Sequence, residues 1–99
     1  MAEHPLKTME TLDPKLFSLV KETQQFAMSD GALPRKFKLL IALALDAAHG
    51  ASAGVKSLAQ AAMQAGATKQ EIAEVVRVAQ YVSGVGSVYT ASIGLKDII

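Results

Sequence analysis

The chain contains no cysteine. That absence excludes disulfides, thiolate nucleophiles and cysteine-held metals together, and it says nothing about redox compartment. Histidine numbers only two, His4 and His49, too few for a metal site built by the protein alone, so neither a metal nor another cofactor is expected. Charge is sparse as well. Charged residues make up 19% and the net charge is +1, where an average chain carries about a quarter charged residues. Without a basic excess there is no electrostatic footprint for nucleic acid. Arg35, Lys36 and Lys38 form the one basic cluster, and it reads as the solvated first turn of a helix. An unbroken apolar run is also missing. The longest uncharged stretch, Val78 to Leu95, holds three Gly, three Ser, a Thr and a Gln. It reads as helix, turn, helix rather than a membrane span. The opening MAEHPLKTME lacks the apolar core of a signal peptide. The expectation is a soluble, cytoplasmic protein that meets neither nucleic acid nor membrane.

What the chain does have is apolar surface to hide. Ninety-nine residues make one domain, and 51% of them are hydrophobic. A chain this short buries only about 60–65% of its unfolded surface. Seventeen alanines let helices approach closely while adding little core volume each. Burial between copies of the chain is the simplest outlet for the surplus.

No segment alternates with period two, so the fold class is all-α, with about five helices. Residues 1–12 read as a flexible N-terminal segment, and 13–99 as the folded domain. Asp13-Pro14 starts a first helix over 14–28, with Asp as cap and Pro at the first helical position. Leu16, Val20, Thr23 and Ala27 form its apolar stripe. Ser29-Asp30-Gly31 breaks it. A second helix begins near Leu33-Pro34 and runs to Ala48. Over Phe37 to Ala48 it is apolar on nearly every face, which predicts a central helix buried all round. Gly50 supplies its left-handed stop. The third helix covers about 53–65, with Val55, Leu58, Ala59 and Ala62 inward. Thr68 and Glu71 form a capping box for the fourth, which buries Ile72, Val75, Val76 and Ala79. Gly84-Val85-Gly86 then breaks the chain, without the preceding strand that a dinucleotide loop needs. A fifth helix closes over 87–95.

The stretch AGATKQEIAEVVRVA, Ala65 to Ala79, preceded by KFKLLIALALDAAHG, Lys36 to Gly50, resembles the carboxymuconolactone decarboxylase family, which includes the alkylhydroperoxidase D-like proteins. The resemblance covers about residues 12–95. Its most specific part is Gly66-Ala67-Thr68, then Glu71-Ile72, then Glu74. The spacing from Lys36 to Leu40-Ile41-Ala42-Leu43-Ala44 agrees with it. The resemblance implies a compact helical bundle of alkylhydroperoxidase D-like type, assembled as a homo-oligomer, a trimer or hexamer. In the family's redox branch a Cys-x-x-Cys-x-x-x-His precedes the Gly-Ala-Thr, and an upstream Glu completes a proton relay. Counting back from Gly66, the Cys positions fall on Ala51 and Gly54, the His on Leu58 and the Glu on Leu39. Nucleophile and proton partner are both absent, so thiol peroxidase chemistry is not expected. The decarboxylase branch lacks the Cys pair too, but keeps a His near the Leu58 position, so the decarboxylase reading is weakened as well.

Some chemistry remains in the DAAHGASAGVKS stretch. Asp46 and His49 are three apart near the end of the second helix and share a face. Such a pair serves as a general acid/base unit when the carboxylate orients the imidazole. Alternatively, His49 simply meets the carbonyls and dipole of the helix end. The small residues from Gly50 to Gly54 lead into the third helix, whose free N–H groups suit an anion. Ser52, Gly54, Lys56 and Ser57 are the candidate ligand contacts; close helix packing explains the same small residues. Tyr81 and Tyr89 fit either a pocket or an interface. Three functions are compatible with this sequence. One is an oligomeric protein binding a small anionic ligand or a partner. The second is a cofactor-free lyase or isomerase using Asp46 and His49, with Lys56 as anion clamp. The third is a purely structural oligomeric subunit.

Overall fold

A computed structural model describes residues 5–99, so His4 lies outside the described residues. Six helices follow one another: α1 Lys7–Leu12, α2 Pro14–Met28, α3 Arg35–Ala48, α4 Ser52–Gln64, α5 Lys69–Ser83 and α6 Gly86–Leu95. The all-α expectation holds, and the five anticipated helices appear within a residue or two of their expected ends. α2 begins as its sequence dictates, with the Asp13 carboxylate accepting from the Leu16 N–H at 3.1 Å and Pro14 at the first position. α5 begins in a complete capping box. The Glu71 N–H donates to Thr68 Oγ1 at 3.0 Å, and the Thr68 N–H donates to Glu71 Oε1 at 2.9 Å.

The sixth helix, α1, lies in the N-terminal segment and was not anticipated: residues 7–12 are helical. Six residues are too few for a periodic pattern or for a helix stable by itself. α1 is held from outside. Leu6 lines an open groove together with Leu16, Leu19 and Val20 of α2. Asp13 joins the two helices, its N–H donating to the Met9 carbonyl at 2.8 Å while its carboxylate caps α2.

The core belongs to α3–α6. Leu39, Leu40, Leu43 and Ala47 of α3 pack against Val55, Ala59 and Ala62 of α4, Ile72 of α5 and Ala91 of α6. Alanine's small side chain draws the axes together, most of all at Gly94. A Cβ there would sit 2.6 Å from the Ser52 carbonyl oxygen and 2.8 Å from Val55 Cβ, so α6 crosses α4 almost backbone on backbone.

α3 departs from its expected burial all round. Its inner face is closed, but Phe37, Ile41 and Leu45 are 44%, 50% and 55% exposed. Among the described residues nothing closes over that face. No residue of α1 or α2 is buried either, and Leu16, Leu19 and Phe26 of α2 face outward. The α1–α2 hairpin therefore extends from the body as an arm, joined to the core at Met28, the last residue of α2. The radius of gyration is 14.2 Å, where about 13 Å is usual for a compact domain of this length.

Candidate functional site

The acid/base and ligand candidates flank the α3–α4 turn: Asp46 in the last turn of α3, His49 in the turn itself, and Ser52, Gly54, Lys56 and Ser57 early in α4. The backbone of the turn is a complete left-handed helix stop. The Ala51 N–H donates to the Asp46 carbonyl at 2.9 Å and the Gly50 N–H to the Ala47 carbonyl at 3.4 Å, with Gly50 at φ +81°. His49 is the last residue before the reversal, its N–H bonded to the Leu45 carbonyl at 3.0 Å. The same pattern recurs after α4, where the Ala67 N–H reaches the Ala62 carbonyl at 2.8 Å and Gly66 has φ +103°. A geometry used twice in one chain, once without any titratable side chain, is a way of ending helices.

Asp46 does not turn toward His49. Its half-buried carboxylate lies over Gly54 at the start of α4. A Cβ added at Gly54 would overlap the Asp46 carboxylate, with Cγ 2.9 Å away. A carboxylate there faces the positive end of α4, the place where the sequence reading puts an incoming anion. The N-cap of α4 is Ala51, which has no side-chain acceptor, and Ser52 is the first helical residue rather than the cap. His49, Lys56 and Ser57 are exposed, while Ser52 is half-buried. Among the described residues no side-chain hydrogen bond or ion pair joins Asp46 to His49 or to Lys56. The structure thus brings Asp46 and Gly54 together, and leaves His49, Lys56 and Ser57 at the surface.

The positions that correspond to redox residues are part of the packing. Leu39 is 3% exposed in the core, and Leu58 packs against that core from α4. Ala51 and Gly54 are half-buried at the helix start. Of the open grooves on the surface of the described residues, four are lined without Asp46, His49, Ser52, Gly54, Lys56 or Ser57. One of them, between α3 and α5, holds about 490 Å³. Leu33, Phe37, Ile41, Ala44, Val75 and Val78 are among its lining residues, as are Glu71 and Glu74. Tyr81 and Tyr89 line none of these grooves and are strongly exposed.

Two polar features escaped the sequence reading. Lys36 is not a solvated cation; its ammonium meets Glu71 Oε2 at 3.1 Å and ties the start of α3 to the start of α5. Glu71 is held below its ordinary pKa, first by the Thr68 backbone N–H and then by Lys36. Lys38 is likewise engaged, donating to the Ser29 carbonyl at 2.7 Å. Charge complementarity between Lys36 and Glu71 was readable in the sequence, but which cation would find which carboxylate depends on how α3 crosses α5.

Known proteins agree with this architecture. The sequence profile described as "Carboxymuconolactone decarboxylase family" matches residues 10–96. Among solved structures, the chain is similar to the apo form of a carboxymuconolactone decarboxylase family protein from Legionella pneumophila. The two share 31% identity and a TM-score of 0.85, over 92% of this chain and 81% of that one. No curated protein matches the chain. Among the described residues, no helix is long and apolar enough to cross a membrane.

Proposed function

The chain belongs to the carboxymuconolactone decarboxylase family, and from that premise we propose that it is a self-associating protein without the thiol chemistry of the family's redox branch. One observation carries the reading: Leu39, Ala51, Gly54 and Leu58, the positions of the redox centre by resemblance, are aliphatic or small, and Leu39 and Leu58 pack in or against the core. No thiol nucleophile can be recruited from elsewhere, because the chain has no cysteine. Self-association is supported by the outer face of α3 and the uncovered arm.

A small anionic ligand at Ser52, Gly54, Lys56 and Ser57 is supported less well. The Asp46 carboxylate already faces the start of α4, and a second anion there meets like charge. An acid/base role for Asp46 and His49 needs the two to meet, and Asp46 turns instead to Gly54. The test is hydroperoxide consumption by pure protein with a dithiol reductant. The proposal expects the rate of the protein-free control. Consumption that rises in proportion to protein would sink it.

A further inference from the structure

The exposed area of this chain is larger than a folded monomer accounts for. Its accessible surface is 6822 Å², against about 5,400 Å² for a monomeric protein of 10.4 kDa. The excess, about 1,400 Å², is more than the ~800 Å² that each partner contributes to a standard interface. Two apolar surfaces contribute to it. One is the apolar stripe of α2, with Leu16, Leu19 and Val20 exposed. The other is the groove between α3 and α5.

These two surfaces match each other. α2 has 15 residues, α3 has 14 and α5 has 15, so each is about 21–23 Å long. Both surfaces are apolar, and Glu74, which lines the groove, would meet a helix whose charged residues are Lys15, Lys21 and Glu22, one net positive charge. Within one chain the two do not meet. The link from α2 to α3 is pinned, with the Arg35 N–H on Asp30 Oδ1 at 2.6 Å and Lys38 on the Ser29 carbonyl at 2.7 Å. Pinned this way, α2 is presented outward rather than folded back.

Building on the self-association proposed above, we infer that α2 of one copy seats in the α3–α5 groove of a second copy. The occupant is the chain's own arm, exchanged between copies, with Leu16 and Leu19 entering between Ile41 and Val78. The exchange covers the stripe that α2 leaves open and the outer face that α3 leaves open in one step.

The absence of cysteine makes a disulfide test clean. Full-length chains carrying Leu16→Cys or Leu19→Cys are mixed with chains carrying Ile41→Cys or Val78→Cys, then oxidised. At least one arm–groove pairing is expected to give a heterodimeric disulfide in high yield, while two arm variants mixed together give little. In parallel, Leu19→Asp is expected to reduce the mass by light scattering, with helicity by circular dichroism retained because α2 contributes no buried residue. An assembled protein that survives Leu19→Asp and gives no arm–groove disulfide overturns this arrangement while leaving self-association intact. A native chain that is monomeric at every concentration overturns both.

Discussion

Replacing Gly54 by Ala asks directly whether Asp46 is part of the fold of the turn or a free acid beside it. Ala is favoured over Gly inside a helix by about 1 kcal/mol. In the native protein that gain is opposed. The new Cβ overlaps the Asp46 carboxylate, with Cγ 2.9 Å away. Turning Asp46 aside costs about 0.5–1.5 kcal/mol in rotamer strain, and about 0.3–1 kcal/mol of its attraction to the start of α4 is lost with it. The two sides nearly cancel, so Gly54→Ala alone is expected to leave stability unchanged or lower it by about 1 kcal/mol. In an Asp46→Ala background the obstacle is gone, and the same change should raise stability by about 1 kcal/mol. The cycle therefore predicts a coupling of roughly 1–2 kcal/mol between positions 46 and 54. For a domain this size each kcal/mol moves Tm by about 4–8 °C. Thermal melts of the four proteins, at one fixed protein concentration because association shifts Tm, resolve that difference. Additive effects of the two substitutions would refute the placement of Asp46 over Gly54.

Three further predictions follow from neighbouring contacts. Gly94→Ala forces a Cβ against the Ser52 carbonyl and Val55, and backbone cannot swing aside as a side chain can, so stability should fall by about 1–3 kcal/mol in urea denaturation. The pKa of Glu71 is lowered in the folded protein by the Thr68 N–H and then Lys36. Its contribution is thus fully present above the ordinary value of 4.5 and is lost as pH falls through the lower folded value. Since Gln keeps the capping geometry but not the charge, the Tm gap between the native protein and Glu71→Gln should close between pH 7 and pH 3; a gap that widens toward acid reverses the sign. His49→Ala removes an exposed side chain with no hydrogen bond or ion pair to Asp46. Stability should change by less than about 0.5 kcal/mol and the mass in solution should not change; loss of any turnover later found for the protein would return His49 to the site.

The sequence was most informative where the signal is local. Asp13-Pro14, the Thr68–Glu71 box and the glycines at 50 and 66 each act within a few residues, and α2, α5 and the two helix stops lie where those residues put them. Patterns that depend on a partner were harder to read. Uniform apolarity says that α3 must be covered, but not which face the rest of the chain leaves open, and Ile41 lies on the open one. α1 is set by its contact with α2 rather than by six residues of its own. Asp46 and His49 share a helical face, yet side-chain direction decided the matter: Gly54 leaves open the space Asp46 takes. The Lys36–Glu71 pair spans 35 residues and needed the α3–α5 crossing to bring it together.

The central claim is that the α3–α4 turn is a structural joint in an assembling protein rather than a reaction centre. An experimental structure of the assembled protein tests it most directly. The account predicts Asp46 against Gly54, His49 and Lys56 directed away from each other, and a neighbouring copy's α2 over Ile41 and Val78. A solvent-open polar cavity on which Asp46, His49 and Lys56 converge would contradict it.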